Sequence, residues 1–242
     1  IDNAAPSGPG GIPAATAIQN RTAGDTTLKV TKGKWYKIQM RGGTGVSVSI
    51  YSPGDSETSG TTDVYSGGAG ASTIFNVRAT ETTTWSILYH IPNAYVYNGV
   101  TYMGGGTAVE LKQGTTTIAI LGGGGGAGNY ANGGNAGVPG AAGGAAKGGA
   151  GGSSGYYNGA GGAGGAGGAA VNGTRKGSAY NGGSGWSGGG GGKDAHGNTT
   201  ISAYGGGGGG SSYINTEYGN LMFEKLPALE SGTPLISIWV YN

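Results

Sequence analysis

The chain has 242 residues and a net charge of +2, and charged side chains make up only 10% of it. It contains no cysteine, which excludes disulfides and thiolate metal sites, and its few cations are too scattered to form a nucleic-acid interface. No stretch approaches the roughly 18 apolar residues of a transmembrane helix, so no membrane span is predicted.

Residues 1–20 are predicted to form an extended arm or linker. Pro6, Pro9 and Pro13 are separated by small residues, a composition typical of segments that build no packed core. Two roles stay open for this arm. It is either a tail that becomes ordered on contact or an arm that docks on another subunit.

A β pattern begins near residue 21 and continues to residue 121. Tyr36, Ile38 and Met40 alternate with polar residues, which is typical of a strand with one buried face. Leu28 and Val30 form an earlier apolar run, and Lys32-Gly33-Lys34 separates it from this strand. This arrangement predicts a hairpin. Residues 53–70, rich in Gly, Ser, Thr and Asp, are predicted to form a long exposed loop.

Two further hairpins are predicted before the glycines begin. Two aromatic, β-branched runs, at 95–97 and 100–102, flank Asn98-Gly99, the dipeptide that favours a type I′ turn. Residues 109–121 form the other hairpin, and its second strand leads directly into the glycines. After residue 210 the strand pattern returns, and the closing run 235–241 is expected to join the N-terminal sheet.

The predicted fold class is therefore all-β, with essentially no α-helix. Residues 21–121 and 211–242 are predicted to form an antiparallel β-sandwich or jelly-roll-like domain, because short alternating strands recur at the spacing of such folds. Residues 122–210 are predicted to be an insertion between them, a glycine-rich bundle of a different kind.

The insertion contains 41 of the chain's 61 glycines. Glycine is costly to order and brings no side chain to pack, so neither an ordinary helix nor an ordinary sheet suits this density. Collagen needs glycine at every third position with abundant proline, and Pro139 is the only proline of the insertion. Glycines nevertheless recur in steps of three, as from Gly159 to Gly168. This spacing predicts polyglycine-II helices, which have three residues per turn and whose backbone groups form hydrogen bonds only with neighbouring helices.

Three sequence features characterise the insertion and its borders. They are residues 118–121 (IAIL) leading into Gly122–Gly126, the step-three glycine runs, and Tyr204 followed by Gly205–Gly210 and SSYI. In these features the chain resembles the polyglycine-II sandwich of bacteriophage distal tail-fibre adhesins of the T-even type. The resemblance covers about 90 residues. It implies that the helices are a scaffold and that the loops joining them at the distal end contact a host receptor.

Because several catalytic motifs are defined by spaced glycines, matches to them are expected to arise by chance in a segment with such a high glycine content. Gly151, Ser153 and Gly155 match a nucleophile elbow, but no predicted helix follows them, as that motif requires. His90, at a strand end, is interpreted as structural. No catalytic residue, metal site or cofactor is predicted, and the chain is not expected to be an enzyme.

The predicted receptor-binding residues are the bulky and charged positions that interrupt the glycine period. Aromatic rings give large contact area at small entropic cost, and Asn, Arg and Lys adapt to a partner. The alternative is that the rings cap the bundle and pack on the β domain. The predicted residues are Tyr156, Tyr157, Asn158, Arg175, Lys176, Tyr180, Trp186, Lys193 and His196.

The sequence thus favours an extracellular or virion-tail adhesin that recognises a cell-surface protein or glycan. Its other expected partner is a fibre or filament subunit, bound through the β-sandwich or the N-terminal arm. Two alternatives stay open: a structural subunit of an extracellular filament and, more remotely, an ice-binding protein, since flat glycine bundles suit ice.

Overall fold

The computed structural model describes residues 15–52, 61–92, 95–97, 100–102, 104–128, 132–140, 142–146, 182–186, 188–189, 194–195, 203–204 and 206–241. Within these ranges the protein is all-β, as predicted, and the only helical element is a 3₁₀ turn at Tyr218–Asn220. No helix in this part of the chain is long and apolar enough to cross a membrane.

Seventeen strands are assigned within the described residues. They are β1 Ala15–Arg21, β2 Thr26–Val30, β3 Trp35–Arg41, β4 Val48–Ser52, β5 Thr61–Tyr65, β6 Gly70–Arg78, β7 Thr83–His90, β8 Tyr95–Tyr97, β9 Val100–Tyr102, β10 Ala108–Gln113, β11 Thr116–Leu121, β12 Gly144–Ala145, β13 Asp194–Ala195, β14 Ala203–Tyr204, β15 Tyr213–Ile214, β16 Met222–Glu230 and β17 Leu235–Tyr241.

Two antiparallel sheets form a β-sandwich-like body. One has the strand order β1-β17-β3-β6-β16 and the other the order β12-β15-β11-β10-β7-β2. The closing strand β17 pairs with β1 and β3, so the predicted return to the N-terminal sheet is confirmed. The hairpins β8–β9 and β10–β11 also pair as predicted.

The hydrophobic core lies between the two sheets because strand alternation directs one set of side chains inward. Ile38 of β3 pairs with Phe75 of β6 and with Ile238 of β17, and all three side chains are fully buried. The six-stranded sheet contributes Trp85, Ile87, Leu111, Ile118 and Leu121 to the same cluster. The body is thus a single core with strands from both ends of the chain.

Three local predictions were wrong. Residues 15–20 do not belong to an extended arm or linker, because β1 pairs with β17 in the five-stranded sheet. β2 and β3 do not form a hairpin, because β2 pairs with β7 in one sheet while β3 pairs with β17 and β6 in the other. The turn at Gly33, with φ of 83°, therefore crosses from sheet to sheet. Residues 53–70 are not one loop either, since β5 and the start of β6 lie within them.

Glycine-rich segments at one end of the sandwich pack against one another as extended chains. We call the described segments 42–47, 66–71, 104–107, 122–127, 132–138, 182–186 and 206–212 the glycine lattice. Backbone hydrogen bonds of 2.6–3.1 Å connect them. Segment 122–127 bonds to all six of the others, whereas a strand in a pleated sheet pairs with at most two neighbours.

The partners of segment 122–127 repeat every three residues. Gly124 and Ala127 both donate to segment 42–47, at the carbonyls of Gly43 and Val46. The carbonyls of residues 123 and 126 likewise both accept from segment 206–212, and those of residues 122 and 125 from segment 66–71. A pleated strand would show a two-residue repeat, so the lattice has a different geometry.

Substitution at the lattice glycines would force atoms together. A Cβ on Gly124 would lie 1.8 Å from the carbonyl oxygen of Gly68, and one on Gly125 would lie 1.9 Å from that of Gly207. Gly123 and Gly126, three residues apart, both face segment 104–107 at 2.1 and 2.3 Å. Backbones therefore approach so closely that only glycine fits.

We expect the Glu230 carboxylate to stabilise the fold above about pH 4.5 and this contribution to be lost as the pH falls towards 2. Its oxygens lie 2.9 Å from Lys225 Nζ and 2.6 Å from Arg41 Nη1. The hydrogen bond from Lys225 is the largest cause that lowers the pKa of Glu230 from 4.5 to about 2, and the hydrogen bond from Arg41 adds to it against the opposing effect of burial. A folded-state pKa below the unfolded one means that unfolding takes up protons in this window.

Chemical denaturation at a series of pH values measures this effect. Glu230→Gln should flatten the pH dependence between about 2 and 4.5. Glu217→Gln is the matched control, since among the described residues the Glu217 carboxylate has no ion pair within 4.0 Å. Equal flattening by both substitutions would contradict the assignment to Glu230.

Candidate functional site

The glycine lattice has a sandwich end and a free end, and chain directions identify them. Segments 42–47 and 122–127 continue β3 and β11, so they run away from the sandwich. The other five segments run back towards it. Segment 132–138, for example, is parallel to the returning segment 206–212, because residues 134 and 137 donate to residues 207 and 210.

Hydrogen bonds place several chain positions together at the free end, which we call the tip. Val46 donates to Gly104 and accepts from Ala127. In the same region Gly133 donates to Ser66, whose own amide donates to Asn132 Oδ1 at 2.9 Å. Gly207 also lies at the tip, because it donates to the carbonyl of Gly126, the neighbour of Ala127.

Three short hairpins connect to the lattice at the tip. β4–β5 lies between Val46 and Ser66, and β9 of the β8–β9 hairpin ends two residues before Gly104. β14 of the β13–β14 pair precedes Gly206. Since all these positions lie at the tip, all three hairpins leave the lattice there.

The tip hairpins are rich in tyrosine and carry few cations. Their strands contain six of the chain's 15 tyrosines, namely Tyr51, Tyr65, Tyr95, Tyr97, Tyr102 and Tyr204. Residues 48–65 include Asp55, Glu57 and Asp63 without a lysine or arginine, and residues 91–103 have no charged side chain. Val64 of β5 is 63% exposed. This composition, rich in Tyr, Ser and Gly, is similar to that of antibody binding loops.

Of the predicted receptor-binding residues, only Trp186 lies in the described part of the chain. The others lie outside it, so their role in receptor binding stays a prediction. They are Tyr156, Tyr157, Asn158, Arg175, Lys176, Tyr180, Lys193 and His196.

Trp186 lies at the sandwich end of the lattice rather than at the tip. Its amide donates to the carbonyl of Ser211 at 3.0 Å, and its indole stacks on the ring of Tyr213 in β15, with centroids 4.5 Å apart. This is the alternative expected from sequence, a ring that packs on the β domain because it cannot enter the lattice. Trp186 is nevertheless 46% exposed.

His90 and Glu110 form a structural pair where the sandwich meets the lattice. His90 Nε2 lies 2.7 Å from Glu110 Oε2, and Thr117 donates to the other carboxylate oxygen at 2.6 Å. Burial alone would raise the pKa of Glu110, but the hydrogen bonds from His90 and Thr117 outweigh it and hold the pKa below its usual value. Ser184 Oγ donates to the main-chain carbonyl of His90 rather than to its ring, an arrangement that does not activate the serine as a nucleophile.

Buried serines continue the lattice hydrogen bonds at this junction. Ser184 Oγ accepts from the amide of Ala108, and Ser212 Oγ accepts from the amide of Gly122, both at 2.9 Å. These hydroxyls satisfy amides that would otherwise be buried without a partner. The junction is therefore a packed support for the lattice, whereas the tip is its free surface.

Comparisons with known proteins give no family assignment. No protein-family model matches the chain, and no curated protein matches it significantly.

Two parts of the site were not predicted from sequence. Segments 42–47, 66–71 and 104–107 belong to the lattice although they lie before residue 122. The glycine clusters at these three positions were the available signal. The β8–β9 hairpin was predicted from its turn, but its position at the tip depends on lattice contacts that are distant in sequence.

Proposed function

We propose that this protein is an extracellular or virion-tail adhesin in which a polyglycine-II bundle holds a recognition surface away from a β-sandwich. The observation that carries the proposal is that three hairpins leave the glycine lattice at one end, opposite the sandwich. A rigid stalk with tyrosine-rich loops at its free end suits recognition of a large surface better than it suits chemistry on a small substrate.

The three-residue repeat supports polyglycine-II geometry. In a helix of three residues per turn, residues i and i+3 face the same neighbour, as Gly124 and Ala127 do towards segment 42–47. The Cβ directions at Gly122 and Gly125, both towards segment 206–212, follow the same repeat. We propose that the remaining glycines of 122–210 extend this bundle.

The chemistry of the tip favours an uncharged or basic partner surface. Its hairpin segments supply tyrosines for contact area, hydroxyls for hydrogen bonds and three carboxylates without a cation in residues 48–65. Acidic groups repel a strongly anionic surface. A protein receptor is therefore the proposed partner, and a cell-surface glycan is the alternative that the sequence leaves open.

We expect serine substitution of Tyr95, Tyr97 and Tyr102 together to reduce cell binding at least about tenfold while leaving the melting temperature unchanged, because the β8–β9 hairpin lies beyond the lattice. Binding of the labelled chain to a panel of bacterial strains, before and after protease treatment of the cells, measures this effect. Loss of binding after protease treatment identifies a protein receptor, whereas retention indicates a glycan.

Trp186→Ala is the matched control, since it removes an exposed ring at the opposite end. If Trp186→Ala abolishes binding and the tyrosine variant does not, recognition occurs at the sandwich end and the tip proposal is wrong. If the wild-type chain binds no strain and forms fibres by electron microscopy, the adhesin proposal is wrong.

One observation favours the alternative of a filament subunit. β16 is an edge strand of the five-stranded sheet, and Met222, Leu226 and Leu229 on it are exposed. Exposed edges can pair with other chains, although bulges and Pro227 in this strand weaken its pairing capacity. Electron microscopy distinguishes the two functions, since only a filament subunit assembles into fibres on its own.

A further inference from the structure

A cavity of about 390 Å³ lies at the end of the sandwich opposite the lattice. Its polar lining comes from Lys32 between β2 and β3, from Arg78 at the end of β6 and Thr80 after it, and from Glu217 and Asn220 before β16. The volume falls in the range of about 300–1,000 Å³ that small-molecule sites occupy. Nothing in the tip proposal requires this cavity.

Two sheet-to-sheet connections form rigid walls. Gly33 donates to the carbonyl of Ala79 at 2.8 Å, and Ala79 donates back to Lys34 at 3.0 Å. The Arg78 guanidinium is held by a 3.0 Å bond from its Nε to the carbonyl of Gly33. The amide of Lys32 donates to Thr82 Oγ1, also at 3.0 Å. Hydrogen bonds therefore fix the backbone of both walls.

The third wall is a tight turn anchored to the core. Tyr218 Oη accepts from Trp85 Nε1 at 3.0 Å and donates to Gln113 Oε1 at 2.5 Å. Gly219 and Asn220 then both adopt left-handed conformations, with φ of 59° and 54°. A Cβ at Gly219 would lie 2.1 Å from the carbonyl of Arg78, so this turn packs directly on the second wall. Asn220 thus holds an uncommon conformation beside the cavity.

Charges of both signs face the same cavity. Within the described ranges, neither the Lys32 ammonium nor the Glu217 carboxylate has an ion pair within 4.0 Å. Lys32 and Arg78 can bind one carboxylate by charge-assisted hydrogen bonds. Glu217, as an acceptor, requires a donor group on the same ligand.

We propose that this cavity binds a small organic acid whose carboxylate pairs with Lys32 and Arg78 and whose hydroxyl or ammonium group faces Glu217. Thr80 and Asn220 provide further hydrogen-bonding groups on the rim. Acidic sugars and acidic amino acids both fit this chemistry. An acidic sugar offers a hydroxyl group to Glu217, whereas an acidic amino acid offers an ammonium group. Comparison of the two ligand types distinguishes these cases.

A titration of the intact chain with four probes, followed by its amide chemical shifts, tests the proposal. D-glucuronate and L-glutamate carry a carboxylate and a donor, glutarate carries carboxylates only, and D-glucose carries hydroxyls only. We expect saturable shifts at Gly33, Ala79 and Gly219 with glucuronate or glutamate, weaker binding of glutarate and no binding of glucose. Tighter binding of glucuronate identifies a hydroxyl as the donor that meets Glu217, and tighter binding of glutamate identifies an ammonium group.

Lys32→Ala should raise the Kd of the bound acid about tenfold, because it removes one charge-assisted contact from a partly solvated site. Lys34→Ala is the matched control, since Lys34 is exposed nearby and does not line the cavity. Absence of saturable shifts from every probe at tens of millimolar, or an unchanged Kd in Lys32→Ala, would overturn the proposal. Glutarate binding as tightly as the best probe would overturn the role of Glu217.

Discussion

Gly124→Ala should destabilise the protein by about 3 kcal/mol or more, towards the upper end of what overpacking costs. The added methyl carbon would lie 1.8 Å from the Gly68 carbonyl oxygen and 2.3 Å from its carbonyl carbon. Both are backbone atoms, so no side-chain rotation relieves the clash. Ordinary contact requires segments 122–127 and 66–71 to separate by well over an ångström.

Separation at this position would also break hydrogen bonds to other segments. Gly124 donates to Gly43 at 2.9 Å and accepts from Gly106 at 2.6 Å. Because segment 122–127 is surrounded by the six other lattice segments, it cannot move away from one without approaching another. We therefore expect a loss of cooperative folding rather than a local adjustment.

Thermal and chemical denaturation measure the effect, and Gly140→Ala is the matched control. A Cβ at Gly140 has no heavy atom within 4 Å, and its φ is not left-handed. Gly140→Ala should leave the melting temperature nearly unchanged. A similarly small effect of Gly124→Ala would show that the segments are not packed at backbone distance.

The strands could be predicted from sequence because their pattern is local. The alternation of Tyr36, Ile38 and Met40 gives β3 its buried face, and Asn98-Gly99 correctly marks β8–β9 as a hairpin. The connection at Gly33 was predicted incorrectly, because a tight glycine turn suits either a hairpin or a sheet-to-sheet crossing. The choice depends on whether β3 gains more by pairing with β2 or with β6 and β17, which lie far away in sequence.

The lattice contacts could be predicted only in part, for the same reason. Glycine spacing indicates a three-residue repeat but not which segments are neighbours. Segments 42–47 and 104–107 come from short glycine clusters, and some of their partners lie far away in sequence, as in the bond from Gly124 to Gly43. Trp186 interrupts the glycines, yet sequence does not specify at which end. Its stacking on Tyr213 depends on the direction of segment 182–186.

Trp85→Ala should destabilise the protein by about 3–5 kcal/mol, as expected for removing a large buried ring. Trp85 is fully buried, and its ring meets Tyr36 edge-on with centroids 5.1 Å apart. Its indole also donates to Tyr218, which positions the turn that closes the acid-binding cavity. The substitution therefore affects both the core and a candidate site.

Trp85→Phe separates these two effects. Phenylalanine keeps most of the buried ring but cannot donate, so Tyr218 retains only its bond to Gln113. We expect a smaller loss of stability than for Trp85→Ala, together with weaker binding of the acid probe, because Glu217 and Gly219 flank Tyr218 and line the cavity. Denaturation and the amide titration measure the two quantities on the same sample. Unchanged acid affinity in Trp85→Phe would show that the hydrogen bond to Tyr218 does not hold the wall in place, and that the left-handed turn at Gly219 and Asn220 is sufficient to do so.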